Sequence, residues 1–335
     1  MAHAISSVSG RSEVFVAGKP AWHGLGVRVD EAQTAEAAIG LAGLDWTVHQ
    51  RPLHLPDGAS VPDKVANVRS APDGADVYLG TVGTQYRPIQ NHEAFSFMDE
   101  VVGLGEAIFE TAGAIKHGRR VWLLARLPEN LRVDSEDEVK KYLLLANGHD
   151  GSMSCRVFWT PVRVVCNNTL TAALGRRSAG DGITIRHSGN VRGKLDEARR
   201  ILGLARSHYD ALGSVFRKMK KLDFDLRAAR DFFEALVPEA KTSASTKSEA
   251  RVHRVRSELL AAYRLEANEL AGRSVWAAYN AATRWSDHIA FQRRPSATPE
   301  TRFENVVWGG GKQFKQAAFD LALTAIGGAG NALAN

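Results

Sequence analysis

Residues 143–190 read LLLANGHDGSMSCRVFWTPVRVVCNNTLTAALGRRSAGDGITIRHSGN. Two short apolar runs, 143–146 and 162–166, read as strands and carry polar clusters at their ends. His149, Asp150, Arg156, Arg163, Asn167, Asn168, Thr169, Arg186, His187 and Asn190 all fall inside this one segment. Nowhere else in the chain are hydrogen-bonding and phosphate-contacting side chains so dense among strand-forming residues, so a site is sought here first. Asn147-Gly148, Asp150-Gly151 and Asp181-Gly182 are turn dipeptides. Asn167 or Asn168 is placed to cap a short helix that stops near Gly175. Residues 155–159 and 183–187 continue the strand pattern.

Upstream, Thr34 caps a short helix with Ala35, Ala38, Ile39 and Leu41 among its apolar positions. Residues 45–55 alternate as a strand with Trp46 and Val48 on one side. Pro56, Asp57, Gly58, Pro62 and Asp63 mark a loop. Strands follow at 65–69 and within 77–89, divided by Asp73-Gly74, and Asn91 is placed to cap a helix carrying Ala94, Phe95, Met98, Val101 and Val102. Residues 107–127 read as a hairpin turning at His117-Gly118, with Lys116, Arg119 and Arg120 at its tip. A basic tip suits a phosphate backbone, although turns collect charge in any case. The spacing lacks regular crossover helices, which argues against a doubly wound dinucleotide fold.

From Val191 the period changes to helical. Helices are expected over 191–224, 225–238, 249–266 and 274–291, and a last one follows the WGGGK element at 308–312. Asn280, Arg284 and His288 recur on one face of the fourth. Residues 241–247 read as an exposed loop. The expected fold class is α+β: an antiparallel β-meander and hairpin core with packed helices over 1–190, followed by a basic, mainly helical region over 191–335.

The chain has 335 residues, 44% hydrophobic and 24% charged, enough to bury a core without disulfides or metals. Net charge is +6. The residues from Arg176 to Arg294 hold 24 Lys/Arg against 14 Asp/Glu, net +10, so the remainder is net −4. Such a segment builds a directed electrostatic face or a set of ordinary solvated helix faces. Residues 1–15 carry no secretory pattern, and no apolar run reaches membrane-spanning length, so a cytoplasmic protein without membrane contact is expected.

No HExxH, CxxC or phosphate-loop spacing occurs, and the histidines are scattered, so no metal, cofactor or catalytic residue is assigned. Cys166, His187 and Asp150 can be written as a nucleophilic set, but a chain of this size offers many such combinations. Binding fits better. Lys116, Arg119, Arg120, Arg156, Arg163, Arg186, Arg192 and Lys194 are candidate phosphate contacts, Asn168 and His187 candidate polar contacts, and Trp159 a candidate stacking residue. Trp22, in KPAWHGLG, is a second stacking candidate or a core anchor. The plain structural alternative is that the asparagines cap a helix and Arg163 makes an internal salt bridge.

The stretches KPAWHGLG, LGTVGTQYRPIQNHEAF, TAGAIKHGRRVWLLARL, YLLLANGHDGSMS, VRVVCNNTL and ITIRHSGNV resemble the phage/plasmid-like protein family, a domain of unknown function. The resemblance covers nearly the whole chain. It implies a bacteriophage, prophage or plasmid setting and no particular chemistry. The strand, strand, strand, helix order over 44–104 is similar to the core of single-strand DNA annealing recombinases, an analogy of fold alone. It implies single-stranded DNA as partner and a homo-oligomeric ring or filament. The alternatives are a structural or protein-interaction module of a mobile element and a metal-dependent enzyme acting on nucleic acid.

Overall fold

The computed structural model describes residues 7–8, 11–17, 27–29, 34–71, 74–102, 108–163, 183–188, 195–239, 246–269, 271–290, 305 and 309–327. In chain order, β1 (Ser7–Val8) and β2 (Arg11–Ser12) form a small ladder, and β3 (Val14–Ala17) lies parallel to β4 (Val27–Val29). Next come α1 (Ala35–Ala42), β5 (Val48–His54), β6 (Ser60–Ser70), β7 (Asp76–Gly83) and α2 (Asn91–Val102). The hairpin β8 (Ile108–Ile115) and β9 (Arg120–Arg126) precedes β10 (Leu131–Arg132), β11 (Glu138–Lys140), β12 (Tyr142–Gly148), β13 (Cys155–Trp159), β14 (Val162–Arg163) and β15 (Ile183–Ile185). The helices α3 (Leu195–Lys221), α4 (Leu226–Leu236), α5 (Thr246–Asn268), α6 (Val275–Arg284) and α7 (Gly310–Ala325) follow. The fold is α+β as expected: mainly antiparallel sheet in the N-terminal half and helical in the C-terminal region.

The large sheet has the order β15-β13-β12-β9-β8-β3-β4. Every residue of β12 is buried, because this strand is paired on both edges and covered on both faces. That explains its run of three leucines, which lacks the alternation of a half-exposed strand. Leu143 and Leu145 face one core with Val121, Leu123, Cys155, Val157 and Ile185. The helices α1 and α2 cover this face through Ala35, Ala38, Ile39, Ala42, Ala94, Phe95 and Met98. Leu144 and Ala146 face the other side with Val14, Ile115, Trp122 and Phe158.

Thr34 does cap α1, its hydroxyl accepting from Ala37 N at 3.1 Å. The Asp99 carboxylate of α2 accepts from Ala35 N at 2.8 Å, so one helix also caps the other. Two local expectations are corrected. Asn147-Gly148 is no turn but the end of β12; Asn147 donates to Ile89 O at 2.9 Å, and a Cβ on Gly148 would stand 2.9 Å from Met153 O. The turn is Asp150-Gly151, where Gly151 has φ +78°. Asn91 lies inside the first turn of α2, buried, donating to Leu44 O at 2.9 Å, and the end of the helix is tied instead by Gln90 N donating to Glu93.

The meander β5-β6-β7 is a separate sheet joined to the large one by polar contacts. Gln90 docks on the edge of β5 like a further strand, accepting from Val48 N and donating to Val48 O. Asn67 donates to His149 O at 2.7 Å, and Tyr86 OH to Gly148 O at 2.8 Å.

In the helical region α6 is central, with all nine residues 275–283 buried. Phe216, Trp276, Tyr279 and Phe319 stack around it. Polar ties join this core to the strands: Trp276 Nε1 donates to buried Asp137 at 2.8 Å, Lys220 pairs with Asp134 at 3.0 Å, and Tyr209 OH donates to Tyr142 O at 2.8 Å. The face expected to present Asn280, Arg284 and His288 is engaged inside the bundle. Asn280 is buried and donates to Trp276 O, while Arg284 pairs with Glu266 and Glu269. No helix among the described residues is long and apolar enough to cross a membrane.

After Arg284 the helix widens to a π turn, Trp285–Ile289. There Asp287 pairs at 2.9 Å with Lys315 of α7, which is fully buried. Burial lowers the lysine pKa, and the Asp287 charge and hydrogen bond oppose that shift. Removing one partner of such a pair strands the other. Lys315→Met is therefore expected to cost about 3–5 kcal/mol in urea unfolding, and the double variant Lys315→Met/Asp287→Leu to recover most of the loss.

Candidate nucleic-acid interface

Strand register decides which basic side chains share a surface. Arg120 pairs with Gly148, Trp122 with Ala146, Ala146 with Arg156, and Arg156 with Thr184. Directly paired residues project to the same face, and alternate residues along a strand do likewise. Arg120, Arg156 and Arg186 therefore all project from the Trp122–Phe158 face, across β9, β13 and the end of β15. Arg120 and Arg186 stand at one end of the sheet, three strand spacings apart, about 14 Å. Arg156 lies between them, one pleat further in. Of the two strands between them, β12 places Gly148 at this level and adds no side chain. Arg156 and Arg186 are exposed. Arg120 is half-buried and donates to Ser152 Oγ at 3.3 Å, and Ser152 in turn donates to Asp150 at 2.6 Å. On the same face, Lys312 of α7 sits 5.1 Å from the centre of the Phe158 ring. The result is a basic patch on a rigid sheet.

The other candidates are distributed differently. Arg119 points away from Arg120, its guanidinium 5.8 Å from the Tyr78 ring centre, and Lys116 is half-buried in the 3-10 turn. The hairpin tip thus packs toward β7 rather than standing free. Trp159 is half-buried between the sheet core and the helical core, beside His208 and Tyr209. His187 lies on the opposite face of the sheet from Arg186. It is buried and stacked on Tyr86 at 4.5 Å. Its carbonyl accepts from Arg87 N, so its role is to close the core. Arg186 and His187 therefore share no surface, since alternation sends His187 inward. Arg163 is in β14, paired with Val139 in a different sheet. Asn168, Arg192, Lys194, Trp22 and Cys166 lie outside the described residues.

Behind the arginine patch lies a buried polar network that the sequence did not disclose. Arg69 pairs with Glu13 at 2.5 Å, both buried, and its guanidinium covers the Trp46 ring at 4.5 Å. Trp46 meets His149 edge-on at 5.4 Å. His149 Nε2 contacts Asn91 Oδ1 at 3.0 Å; because the Asn91 amide nitrogen donates to Leu44 O, this oxygen accepts and His149 carries its proton on Nε2. A Cβ on Gly80 would stand 2.7 Å from Asp150 Cα, so β7 touches the β12–β13 turn backbone to backbone. The network therefore fixes the end of the sheet that carries Arg120, Arg156 and Arg186. Burial pushes the Cys155 thiol up to about 12 and the His149 imidazole down to about 3, with the nearby His187 adding to the latter. Among the described residues no group of three His, Cys, Asp or Glu side chains is arranged to hold a metal ion.

A family model described as "Domain of unknown function (DUF932)" matches residues 78–308, more than half of the chain. No curated protein and no solved structure matches.

His149 gives a pH signature. Its folded pKa lies below the unfolded value of 6.5, so the unfolded chain binds more protons between about pH 6.5 and 3. The stability it contributes is complete above pH 6.5 and is lost as pH falls through that window. In urea titrations, His149→Gln is expected to flatten the dependence of stability on pH below 6.5 by up to one proton, about 1.4 kcal/mol per pH unit. An unchanged slope would show that His149 titrates normally.

Proposed function

The chain belongs to the DUF932 family of domains of unknown function, and we propose that it binds single-stranded DNA and anneals complementary strands without ATP in phage or plasmid recombination. The observation that carries this reading is the patch of Arg120, Arg156 and Arg186 on one face and at one end of the large sheet. Guanidinium groups pair with phosphate oxygens through planar, bidentate contacts and also lie flat against bases, so one residue type serves both parts of a single strand. Lys312 adds positive charge over the same face. The patch is built on paired strands and braced from behind by buried polar contacts, which keeps its geometry fixed before a ligand arrives.

The antiparallel meander β5-β6-β7 followed by α2 supports the annealing reading by analogy of element order alone. In that reading, copies of the chain assemble into a ring or filament in the cytoplasm, so that the basic patches line a continuous track. A second reading, a protein-interaction module of a mobile element, is favoured by a different feature: the β5–β6 turn presents Leu55, 52% exposed, away from any core.

The deciding measurement is anisotropy of a labelled oligo-dT strand at about 50 and 200 mM salt, with ATP-free annealing followed in parallel. The wild-type chain is expected to bind and to weaken steeply with salt. The variant Arg156→Ala/Arg186→Ala is expected to reduce the log–log salt slope by about 1.4, two contacts at about 0.7 each on single strands. Absence of wild-type binding at the lower salt, or an unchanged slope in the variant, overturns the assignment. A monomeric mass for the DNA-bound particle overturns the ring or filament alone.

A further inference from the structure

Among the described Phe, Tyr and Trp side chains, Tyr78 alone is exposed, at 48%. Register explains its position. His49 pairs with Val68 and Val68 with Tyr78, so all three project from one face of the meander. Val48, Arg69 and Val77 project from the other, where Arg69 covers Trp46. A bulge then takes up Leu79 and turns Thr81 to the side of Tyr78, whose hydroxyl lies 2.9 Å from Thr81 Oγ1. The hairpin tip meets β7, and the Arg119 guanidinium stands 5.8 Å from the centre of the Tyr78 ring. The Arg119 backbone is fixed on both sides: its N donates to Lys116 O at 3.2 Å, and its O accepts from His149 N at 2.8 Å. Its side chain, by contrast, makes no hydrogen bond or ion pair with any described residue. Asp76, on the same face two residues before Tyr78, is paired with Arg51 at 3.1 Å.

We propose that Tyr78 and Arg119 form a base-stacking site for the strand held at the arginine patch: an unpaired base lies on the Tyr78 ring, and Arg119 takes the phosphate beside it. The inference rests on the single-strand reading of that patch. Three features support it. An exposed ring stacks on any unpaired base, whereas a paired base is already stacked on both sides, and a guanidinium without a partner is free to grip phosphate. The patch itself lacks this element, because Trp122 and Phe158 are buried beneath it. Position is the second feature. Arg119 and Arg120 are consecutive and diverge at the hairpin tip, Arg120 toward Ser152 and the patch. Behind them β7 touches the β12–β13 turn, where a Cβ on Gly151 would stand 2.9 Å from Val82 Cγ1. Ring and patch therefore flank one rigid junction, and a strand leaving Arg120 has the hairpin tip to cross before it meets Arg119. The third feature is the polarity around the ring, where His49, Arg51 and Thr81 are exposed. Leu55, the other exposed large apolar side chain of the meander, is six residues beyond His49 along the chain, about 20 Å of extended strand. A protein hot spot sits in a packed apolar surround. A lone ring among polar groups suits a ligand that brings its own flat face.

The test uses the full chain with labelled oligo-dT and with an abasic strand of the same length and charge, each at about 50 and 200 mM salt. Tyr78→Ala is expected to weaken oligo-dT binding about fivefold or more at both salts, without changing the salt slope. On the abasic strand it is expected to match the wild type, a selectivity that misfolding cannot mimic. Tyr78→Phe keeps the ring, loses only the Thr81 contact, and is expected to bind oligo-dT within about twofold of wild type. Arg119→Ala is expected to lower the log–log salt slope by about 0.7 on either strand, one phosphate contact. The proposal is overturned, with the arginine patch left standing, if Tyr78→Ala binds oligo-dT as the wild type does while Arg156→Ala/Arg186→Ala does not. Equal loss of the abasic strand in Tyr78→Ala overturns it as well. Loss of self-association in Tyr78→Ala at unchanged oligo-dT affinity would assign the ring to a protein contact instead. A wild-type chain that ignores oligo-dT at the lower salt overturns both the stacking site and the single-strand reading.

Discussion

Burying the strand Tyr142–Gly148 on both faces and both edges is the constraint on which the other elements depend. A strand in that position has to find backbone partners on each side, because an unpaired buried amide or carbonyl costs as much as a lost hydrogen bond. β9 supplies them over the whole strand and β13 over residues 143–146. Once both edges are satisfied, the alternation of Leu143, Leu144, Leu145 and Ala146 creates two cores rather than one. One core draws in α1 and α2. The other places Trp122 and Phe158 beneath the arginine patch. A slip of one residue in this pairing would exchange the two faces and bury Arg156.

The end of the same strand is where the molecule spends its buried polar groups. Gly148 O, His149 O and His149 N accept from or donate to Tyr86, Asn67 and Arg119 respectively, so the meander and the β8–β9 turn are all tied within two residues of each other. Arg69 and Glu13 add a buried ion pair beside this point. Such a pair adds little net stability over an apolar filling, but it penalises any arrangement that separates its members. Its position suggests the same role as Asp287–Lys315 at the other pole of the molecule: each holds a segment to a single docking geometry. At Lys315 desolvation is the larger effect, and pairing with Asp287 opposes it.

Much of the architecture was legible in the sequence because local signals and burial agree. The Thr34 cap, strands near 48–54, 65–69 and 77–83, the His117-Gly118 turn and the switch to helical period in the second half appear where the residues put them, although β6 runs back through Pro62 and Asp63, which read as loop. The failures have a common physical origin. Asn147-Gly148 has turn chemistry, yet the pairing of β12 overrides it, and the glycine serves close approach to Met153 instead. Asn91, Trp159 and His187 have side chains suited to capping or ligand contact, but each is consumed by a partner distant in sequence. Polar residues near one another in sequence alternate across a sheet, so density along the chain is not density on a surface. The signal that would have separated Arg186 from His187 was the period of two itself, applied from Ile185 outward.

That alternation also bears on what the basic residues can do. A cation on a paired strand has a fixed neighbour on either side, and its distance to the next cation is set by strand spacing and pleat. A cation on α5 before Leu259, the first buried residue of that helix, has neighbours set by helical rise. The first arrangement ties the spacing of the charges to the register of the sheet, and the second ties it to helical rise alone, so only the first depends on the pairing of β12.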